Sequence, residues 1–250
     1  MNNTQERLSR IWTSGYMNAL PSIITERGYA FADNEHKDIL ITGFNPSFRE
    51  GTDQTGIIHG PISNIWNNPN YDTYWSRIKK LLQNEEINLM PRTDYLDIFY
   101  FREKGQDFFK KEVLTKKEGI LFATEQLNTT MHIVEEIVKP KLIVVKNKES
   151  WVYWGKLYQE KGWAWMGYAF EHIENLKCGE LCRITGLIDS PERIAPEIRT
   201  TNLNGTYVLF TKHLNQYTPL NDYPTPRLLT AILNWYDGEK EVREIFKAND

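Results

Sequence analysis

Cysteine is scarce in this chain, which limits the chemistry it can carry. Among 250 residues there are only two, Cys178 and Cys182. Two cysteines exclude a disulfide framework and any cluster that needs four thiolate ligands. Together with His172 they could supply three metal ligands, but two thiols in a reducing compartment are the simpler interpretation. We therefore predict no metal site.

Long apolar runs are also missing. No stretch approaches the roughly 18 consecutive apolar residues of a membrane span, and residues 1–10 lack the apolar segment of an export signal. We expect a cytoplasmic protein without a membrane partner.

Strong charge of either sign is absent as well, because the formal net charge is −3. The chain as a whole is therefore not attracted to nucleic acid, and any DNA contact has to come from a local basic or aromatic face.

The chain is nevertheless long and apolar enough for a substantial core. Its length and its 40% hydrophobic content suit a single α/β domain over residues 1–250. We place the core of this domain at about 38–236 and a helical extension at 1–37. We expect a monomer.

Three short apolar segments are typical of buried strands, namely 38–42, 142–145 and 207–210. Helical spacing occurs in 7–28, 74–82, 120–138, 151–158 and 228–236. Strands that alternate with helices favour parallel pairing, so the three segments should be neighbours in one sheet. The predicted fold is a three-layer α/β/α sandwich around a mainly parallel four-stranded sheet. Residues 162–203 carry no clear signal.

The pentapeptide Gly43-Phe44-Asn45-Pro46-Ser47 follows the first predicted strand. The glycine permits a close backbone approach or a positive φ angle, and the proline fixes the next φ angle. Asn45 is thus held in a rigid turn at a strand end. In an open parallel sheet, ligands bind beyond the carboxyl ends of the strands. Asn45, Asn147 and the segment 211–217 should therefore converge there.

At this point the sequence resembles the uracil-DNA glycosylase superfamily, in a divergent mismatch-specific or single-strand-selective branch. That family has a Gly-x-Asp/Asn-Pro turn after its first strand and a His- or Asn-led turn after its last. The turn at 43–47 and the segment 213–217 stand in those places. The resemblance covers about 38–236 by order of segments, and it implies an uracil-DNA glycosylase-like fold.

The resemblance also implies a reaction and its catalytic residues. The family extrudes a nucleotide and hydrolyses the bond between base and deoxyribose. Asn45 matches the residue that orients the attacking water, since an amide cannot act as a base. His213 matches the residue that donates a hydrogen bond to the base oxygen as negative charge develops there.

A base pocket is implied by the same resemblance. Asp97 falls near the position from which the family reads the base edge with an amide, although an ionised Asp offers acceptors only. Ser47 stands where some members exclude thymine with a tyrosine, and Ile57 and Ile58 lie near the usual stacking aromatic. The predicted pocket consists of Gly43, Phe44, Ser47, Ile57, Ile58 and Asp97.

Four further residues are predicted to contact DNA, either duplex or single-stranded. Tyr217 lies where the family inserts a wedge into the duplex, and Leu214 replaces the proline that usually follows the histidine. Lys146 and Lys148 lie at the presumed edge of the site. His59, in a glycine-flanked loop, we interpret as a surface residue.

Two hypotheses follow. The first is a monofunctional DNA glycosylase of base-excision repair, a hydrolase of N-glycosyl bonds that acts on uracil or a related base without cofactor or metal. The second is a catalytically inactive module with the same fold that binds a nucleobase or nucleic acid. A basic concave surface around Asn45 and His213 favours the first, and a closed or acidic one favours the second.

Overall fold

A mixed six-stranded sheet forms the centre of this protein in a computed structural model that describes residues 3–68, 73–189, 191–212, 214 and 217–237. In spatial order its strands are β4 (Thr93–Asp97), β2 (Ile39–Gly43), β5 (Leu142–Val145), β8 (Tyr207–Thr211), β7 (Gly179–Leu187) and β6 (Tyr168–Leu176). The first four pair in parallel, and β7 and β6 add an antiparallel hairpin. The predicted neighbours 38–42, 142–145 and 207–210 are confirmed, whereas the sheet has six strands rather than four.

Nine α-helices lie in the described residues. They are α1 (Asn3–Trp12), α2 (Ser22–Arg27), α3 (Ile62–Trp66), α4 (Thr73–Leu82), α5 (Gln106–Phe108), α6 (Lys117–His132), α7 (Trp151–Trp154), α8 (Tyr158–Lys161) and α9 (Pro226–Tyr236). Helices α5 and α6 continue as wider turns over Phe109–Val113 and Ile133–Val138.

Helices cover both faces of the central strands, and this is why their sequences are almost entirely apolar. Every residue of β2, β5 and β8 is buried. One face packs against Leu8 of α1 and Phe122 of α6, and the other packs against Leu82 of α4 and Leu229 of α9. The protein is therefore an α/β structure with helices on both faces of its sheet.

The hairpin β6–β7 falls in the region that the sequence left unassigned. Register shifts between Ala169 and Phe170 and between His172 and Glu174 interrupt its pairing. Such bulges break the alternation of apolar and polar residues by which a half-buried strand is recognised. The irregularity explains why the sequence pattern did not reveal these two strands.

The N-terminal residues are part of the folded core. Leu8 and Ile11 of α1 are buried in the same cluster as Phe122 of α6. Strand β1 (Ala30–Ala32) pairs in parallel with β3 (Ile58–Gly60), which lies in the segment that the sequence suggested to be a loop. This two-stranded sheet provides one wall of the candidate site.

Candidate functional site

The candidate site lies at the carboxyl ends of β4, β2 and β5. Gly43, the last residue of β2, pairs with Asp97, the last residue of β4. Beyond this pair the two chains stay side by side, because the Phe99 amide donates to the Phe44 carbonyl at 2.9 Å and the Glu103 amide to the Pro46 carbonyl at 3.0 Å. The turn at 43–47 is therefore held along its length.

Gly43 is required by the close approach of Asp97. A Cβ atom at this position would lie 1.9 Å from Asp97 Oδ1 and 2.4 Å from the Tyr95 hydroxyl. Neither distance is possible for a real side chain, so the glycine makes room for the carboxyl group of the neighbouring strand. This is the close approach that the sequence suggested for Gly43.

Asn45 ties the turn to the segment after β4. Its Nδ2 atom lies 2.8 Å from the Glu103 carbonyl, 3.0 Å from the Pro46 carbonyl and 3.4 Å from the Phe101 carbonyl. These acceptors fix the orientation of the amide. Oδ1 receives no hydrogen bond from the described residues, so it remains available to a water or a ligand.

Asp97 is part of a hydrogen-bonded chain with two tyrosines. The Tyr95 hydroxyl donates to Asp97 Oδ1 at 2.8 Å and lies 2.8 Å from the Tyr74 hydroxyl. Oδ2 of Asp97 receives no hydrogen bond within the described part of the chain. Burial raises the pKa of Asp97 to about 6, while Lys146 and the Tyr95 hydroxyl oppose that rise because both favour the carboxylate.

Lys146 directly follows β5, and its ammonium group lies against the ring of Tyr74, which belongs to this hydrogen-bonded chain. It is only 8% exposed, and its Nζ atom lies 4.3 Å from the centroid of the Tyr74 ring. Burial lowers the pKa of Lys146 to about 8, and the charge of Asp97 opposes the fall. Near neutral pH the ionised forms of both groups dominate, so a buried positive charge stands behind the carboxylate of Asp97.

A cavity of about 310 Å³ opens beside Asp97. Its walls come from β1, β3, α3 and β4, together with Pro46 of the turn and Trp75 of α4. The lining is largely apolar, and no lysine or arginine is among the described residues that form it. Its size falls at the lower end of small-molecule sites, which typically measure about 300–1,000 Å³.

His59 lies on the wall formed by β1 and β3. Its Nδ1 atom lies 3.3 Å from Asp33 Oδ2, and its ring stacks on Phe31 with centroids 5.1 Å apart and planes at 11°. A carboxylate on one ring nitrogen orients an imidazole and leaves the other nitrogen for chemistry. The sequence interpretation of His59 as a surface residue overlooked that it lines the cavity, although it is also exposed.

The structure brings together only part of the predicted base pocket. Ile58 and Asp97 line the cavity. Ile57, the residue before Ile58, is 50% exposed and does not line it. Phe44 is buried among Phe99 and other aromatic rings. Its contribution is therefore to the core beneath the turn.

Ser47 lines a different depression. This neighbouring groove, of about 640 Å³, also contains Arg27, Phe48, Arg49, Glu50, Glu103 and Lys104. Arg27 forms ion pairs with both Glu50 and Glu103. The expectation that Ser47 shares a cleft with Asp97 is wrong, because Ser47 lines this groove whereas Pro46, one residue earlier in the turn, lines the cavity with Asp97.

The residues predicted to contact DNA are also dispersed. His213 lies outside the described residues, Leu214 is buried, and Tyr217 is 83% exposed. Lys146 is buried behind Asp97, so it is not a surface contact for phosphate as predicted. Lys148 is exposed, with Nζ 5.7 Å from the Trp151 ring centroid.

Several site residues were not identified from the sequence, namely Phe31, His59, Tyr74, Trp75 and Tyr95. A signal was available for one of them, because residues two apart on a strand share a face and Tyr95 is two before Asp97. Phe31, His59 and Trp75 reach the cavity, and Tyr74 reaches the Tyr95 hydroxyl, through contacts between distant segments, which no local pattern records.

The two cysteines do not combine into a metal site. Cys178 is buried with the α4–α9 side of the sheet, and Cys182 is buried with the α1–α6 side. Within the described ranges no group of three or more His, Cys, Asp or Glu side chains is arranged to hold a metal ion.

None of the helices in the described part of the chain is both long and apolar enough to cross a membrane.

Comparison of the chain with protein-family models, with curated proteins and with solved structures finds no match.

Proposed function

We propose that this protein is a DNA glycosylase-like hydrolase that takes an extruded base into the cavity beside Asp97 and cleaves its N-glycosidic bond. The observation that carries this proposal is the pairing of Gly43 with Asp97. Pro46 of the Gly-Phe-Asn-Pro turn and the carboxyl group of Asp97, which can read a base edge, both line the cavity. Asn45 precedes Pro46 in the turn and is not itself among the described residues that line the cavity.

The order of the parallel strands supports an uracil-DNA glycosylase-like fold. Strand β2, which carries the turn, lies between β4, which carries Asp97, and β5, which leads to Lys146. Strand β8 follows and leads toward His213. The segments that the resemblance assigns to the site thus leave the sheet at the same end.

Asn45 would orient the attacking water. Its Nδ2 atom is occupied by backbone carbonyls, so Oδ1 is held in a fixed direction without a donor from the described residues. Holding a water in the attacking position lowers the entropic part of the barrier. His213 would donate a hydrogen bond to the base as negative charge develops in a transition state that resembles an oxocarbenium ion.

In this proposal two exposed side chains contact DNA. Tyr217 would act as the wedge that fills the space left by the extruded base, because it is 83% exposed. Lys148 would contact phosphate from a neighbouring surface.

A second candidate function is a module that binds a nucleobase without excising it. The observation in its favour is that the described lining of the cavity contains the carboxyl of Asp97 but no lysine or arginine. A cavity without basic residues does not attract a phosphate backbone.

Excision of uracil from labelled DNA distinguishes the two candidates. A glycosylase should leave alkali-sensitive abasic sites in single-stranded or duplex DNA, and Asn45→Ala should lower the rate of their formation about 100-fold or more. Asn84→Ala is the matched control, since Asn84 caps the turn after α4, before β4 begins, through hydrogen bonds from the Glu86 amide at 3.0 Å and the Ile87 amide at 2.7 Å. A protein that binds a base but leaves no abasic site after prolonged incubation supports the binding module.

A further inference from the structure

The cavity beside Asp97 has very few charged groups with which to select a ligand. Asp97 is the one carboxyl among the described residues that line it, and no lysine or arginine accompanies it there, although the His59 imidazole lies on the same lining. Oδ1 of Asp97 already accepts the Tyr95 hydroxyl, while Oδ2 has no donor from the described residues. A ligand in the cavity can therefore supply further donors to this carboxylate.

We infer that Asp97 makes this cavity select a base whose edge presents two adjacent N–H donors, such as guanine or a damaged guanine, over uracil. The inference rests on the proposed function, because it names the substrate class of the same site.

The chemical reason is that a carboxylate accepts hydrogen bonds but donates none, whereas an amide does both. The edge of uracil presents one N–H group beside carbonyl oxygens, so one of its oxygens would face an oxygen of Asp97. Guanine presents N1–H and its 2-amino group side by side. A carboxylate can accept both at once, and such charge-assisted pairs are stronger than neutral hydrogen bonds.

Two features of the surroundings keep Asp97 in the form that accepts. The hydroxyl of Tyr95 donates to it, and Lys146 contributes a buried positive charge from behind the Tyr74 ring. Both favour the ionised carboxylate at neutral pH, in opposition to burial.

The cavity also has room for a two-ring base. Its volume of about 310 Å³ corresponds to the space of roughly ten water molecules. Phe31 and Trp75 contribute to walls that are otherwise largely apolar. A planar aromatic ring system suits such walls.

The test is a comparison of deoxynucleoside affinities, measured by calorimetry on the whole chain. Deoxyguanosine should bind roughly tenfold or more tightly than deoxyuridine. Deoxyinosine, which keeps N1–H but lacks the 2-amino group, should fall between them. Asp97→Asn, which keeps an oxygen for the Tyr95 hydroxyl, should reduce the preference for deoxyguanosine at least tenfold.

Asp107→Asn is the control, because it removes an exposed negative charge whose partner is Lys111 on the same helical segment. It should leave the preference unchanged. Equal affinities for the three nucleosides, no binding of any of them, or a preference that Asp97→Asn does not alter would each overturn the inference. If Asp97→Asn does not fold, the wild-type order of the three nucleosides still decides.

Excision separates this inference from the proposed function. Preference for deoxyguanosine without abasic sites, in DNA that contains uracil or 8-oxoguanine, would support the inference and contradict the glycosylase. Excision of uracil, together with no preference for deoxyguanosine that depends on Asp97, would support the glycosylase and contradict the inference.

Discussion

The hydroxyl of Tyr95 donates a hydrogen bond to the carboxylate of Asp97, two residues further along the same strand. This bond stabilises the charged form of Asp97, whose pKa burial has raised to about 6. Tyr95→Phe should therefore raise that pKa further, because it removes a donor to the carboxylate. Carbon-13 NMR titration of the aspartate side chains measures the change.

The control for this substitution is Tyr168→Phe, which removes a buried hydroxyl that donates to Glu135 instead. It should leave the titration of Asp97 unchanged. An unaltered or lower pKa in Tyr95→Phe would show that the hydrogen bond does not stabilise the carboxylate.

Gly43→Ala should destabilise the protein and displace Asp97. The added methyl group would overlap Asp97 Oδ1, and overpacking of this kind typically costs about 1–3 kcal/mol. Urea unfolding measures the loss. Gly15→Ala is the matched control because no atom would lie within 4 Å of its Cβ. Equal unfolding midpoints for the two variants would contradict the assigned role of Gly43.

The free energy that the protein loses by burying the ionised carboxylate of Asp97 should become smaller as the pH is lowered. Its pKa rises from 3.8 in the unfolded chain to about 6 in the folded protein, so between these values the folded state binds more protons. Its contribution to the free energy of unfolding therefore falls as pH rises through this window. The pKa of Asp94 is also raised by burial, so the two contributions have to be separated.

Asp97→Asn separates them, since it keeps Asp94 but lacks the titrating group. The stability of the variant relative to wild type should increase between about pH 4 and about pH 7. Denaturant midpoints at the two pH values measure this difference. A constant difference would mean that the pKa of Asp97 is not raised on folding.

Glu135→Ala should be strongly destabilising. Glu135 is 1% exposed and accepts hydrogen bonds from the Tyr168 hydroxyl at 2.9 Å, the Thr201 hydroxyl at 2.6 Å and the Asn202 amide at 2.8 Å. A hydrogen bond to a charged group contributes about 1.5–3 kcal/mol, so the loss of three such bonds, one of them from the buried Tyr168 hydroxyl, should cost about 3 kcal/mol or more.

Glu136→Ala provides the comparison in the same helical turn, because the Glu136 side chain is 45% exposed and pairs with Lys139 at the surface. Its cost in thermal or urea unfolding should stay within about 1 kcal/mol. Similar losses in the two variants would show that the buried contacts of Glu135 contribute little.

Tyr217→Ala should impair excision from duplex DNA more than from single strands. A wedge replaces stacking that extrusion breaks, and single strands have little stacking to break. The ratio of the two excision rates is the measurement. A proportional loss on both substrates would rule out a wedge.

Local patterns were sufficient to predict three of the four parallel strands, but not β4. Strands β2, β5 and β8 are buried on both faces, so their residues form continuous apolar runs that stand out in the sequence. The hairpin β6–β7 was missed because bulges interrupt its alternation and its outer strand is polar.

The sequence analysis named residues at the ends of the strands that border the candidate site, but it did not identify the residues that form the walls of the cavity. Gly43 and Asn45 were predicted from the turn after the first strand, and Asp97 from the family resemblance; Gly43 and Asp97 are paired at the ends of β2 and β4. His59 and Phe31 reach the cavity only because β1 pairs with β3, and such a pairing between distant short strands leaves no periodic signal.

Both edge strands of the open sheet are protected against pairing with another chain. At one edge β6 exposes Glu171, His172 and Glu174 on a bulged strand. At the other, the segment before β2 covers β4, since Asn34 Nδ2 donates to the Tyr95 carbonyl at 3.0 Å. Unprotected edge strands are templates for the addition of strands from other molecules. Growth of fibrils from the folded protein by strand addition is therefore disfavoured on both sides.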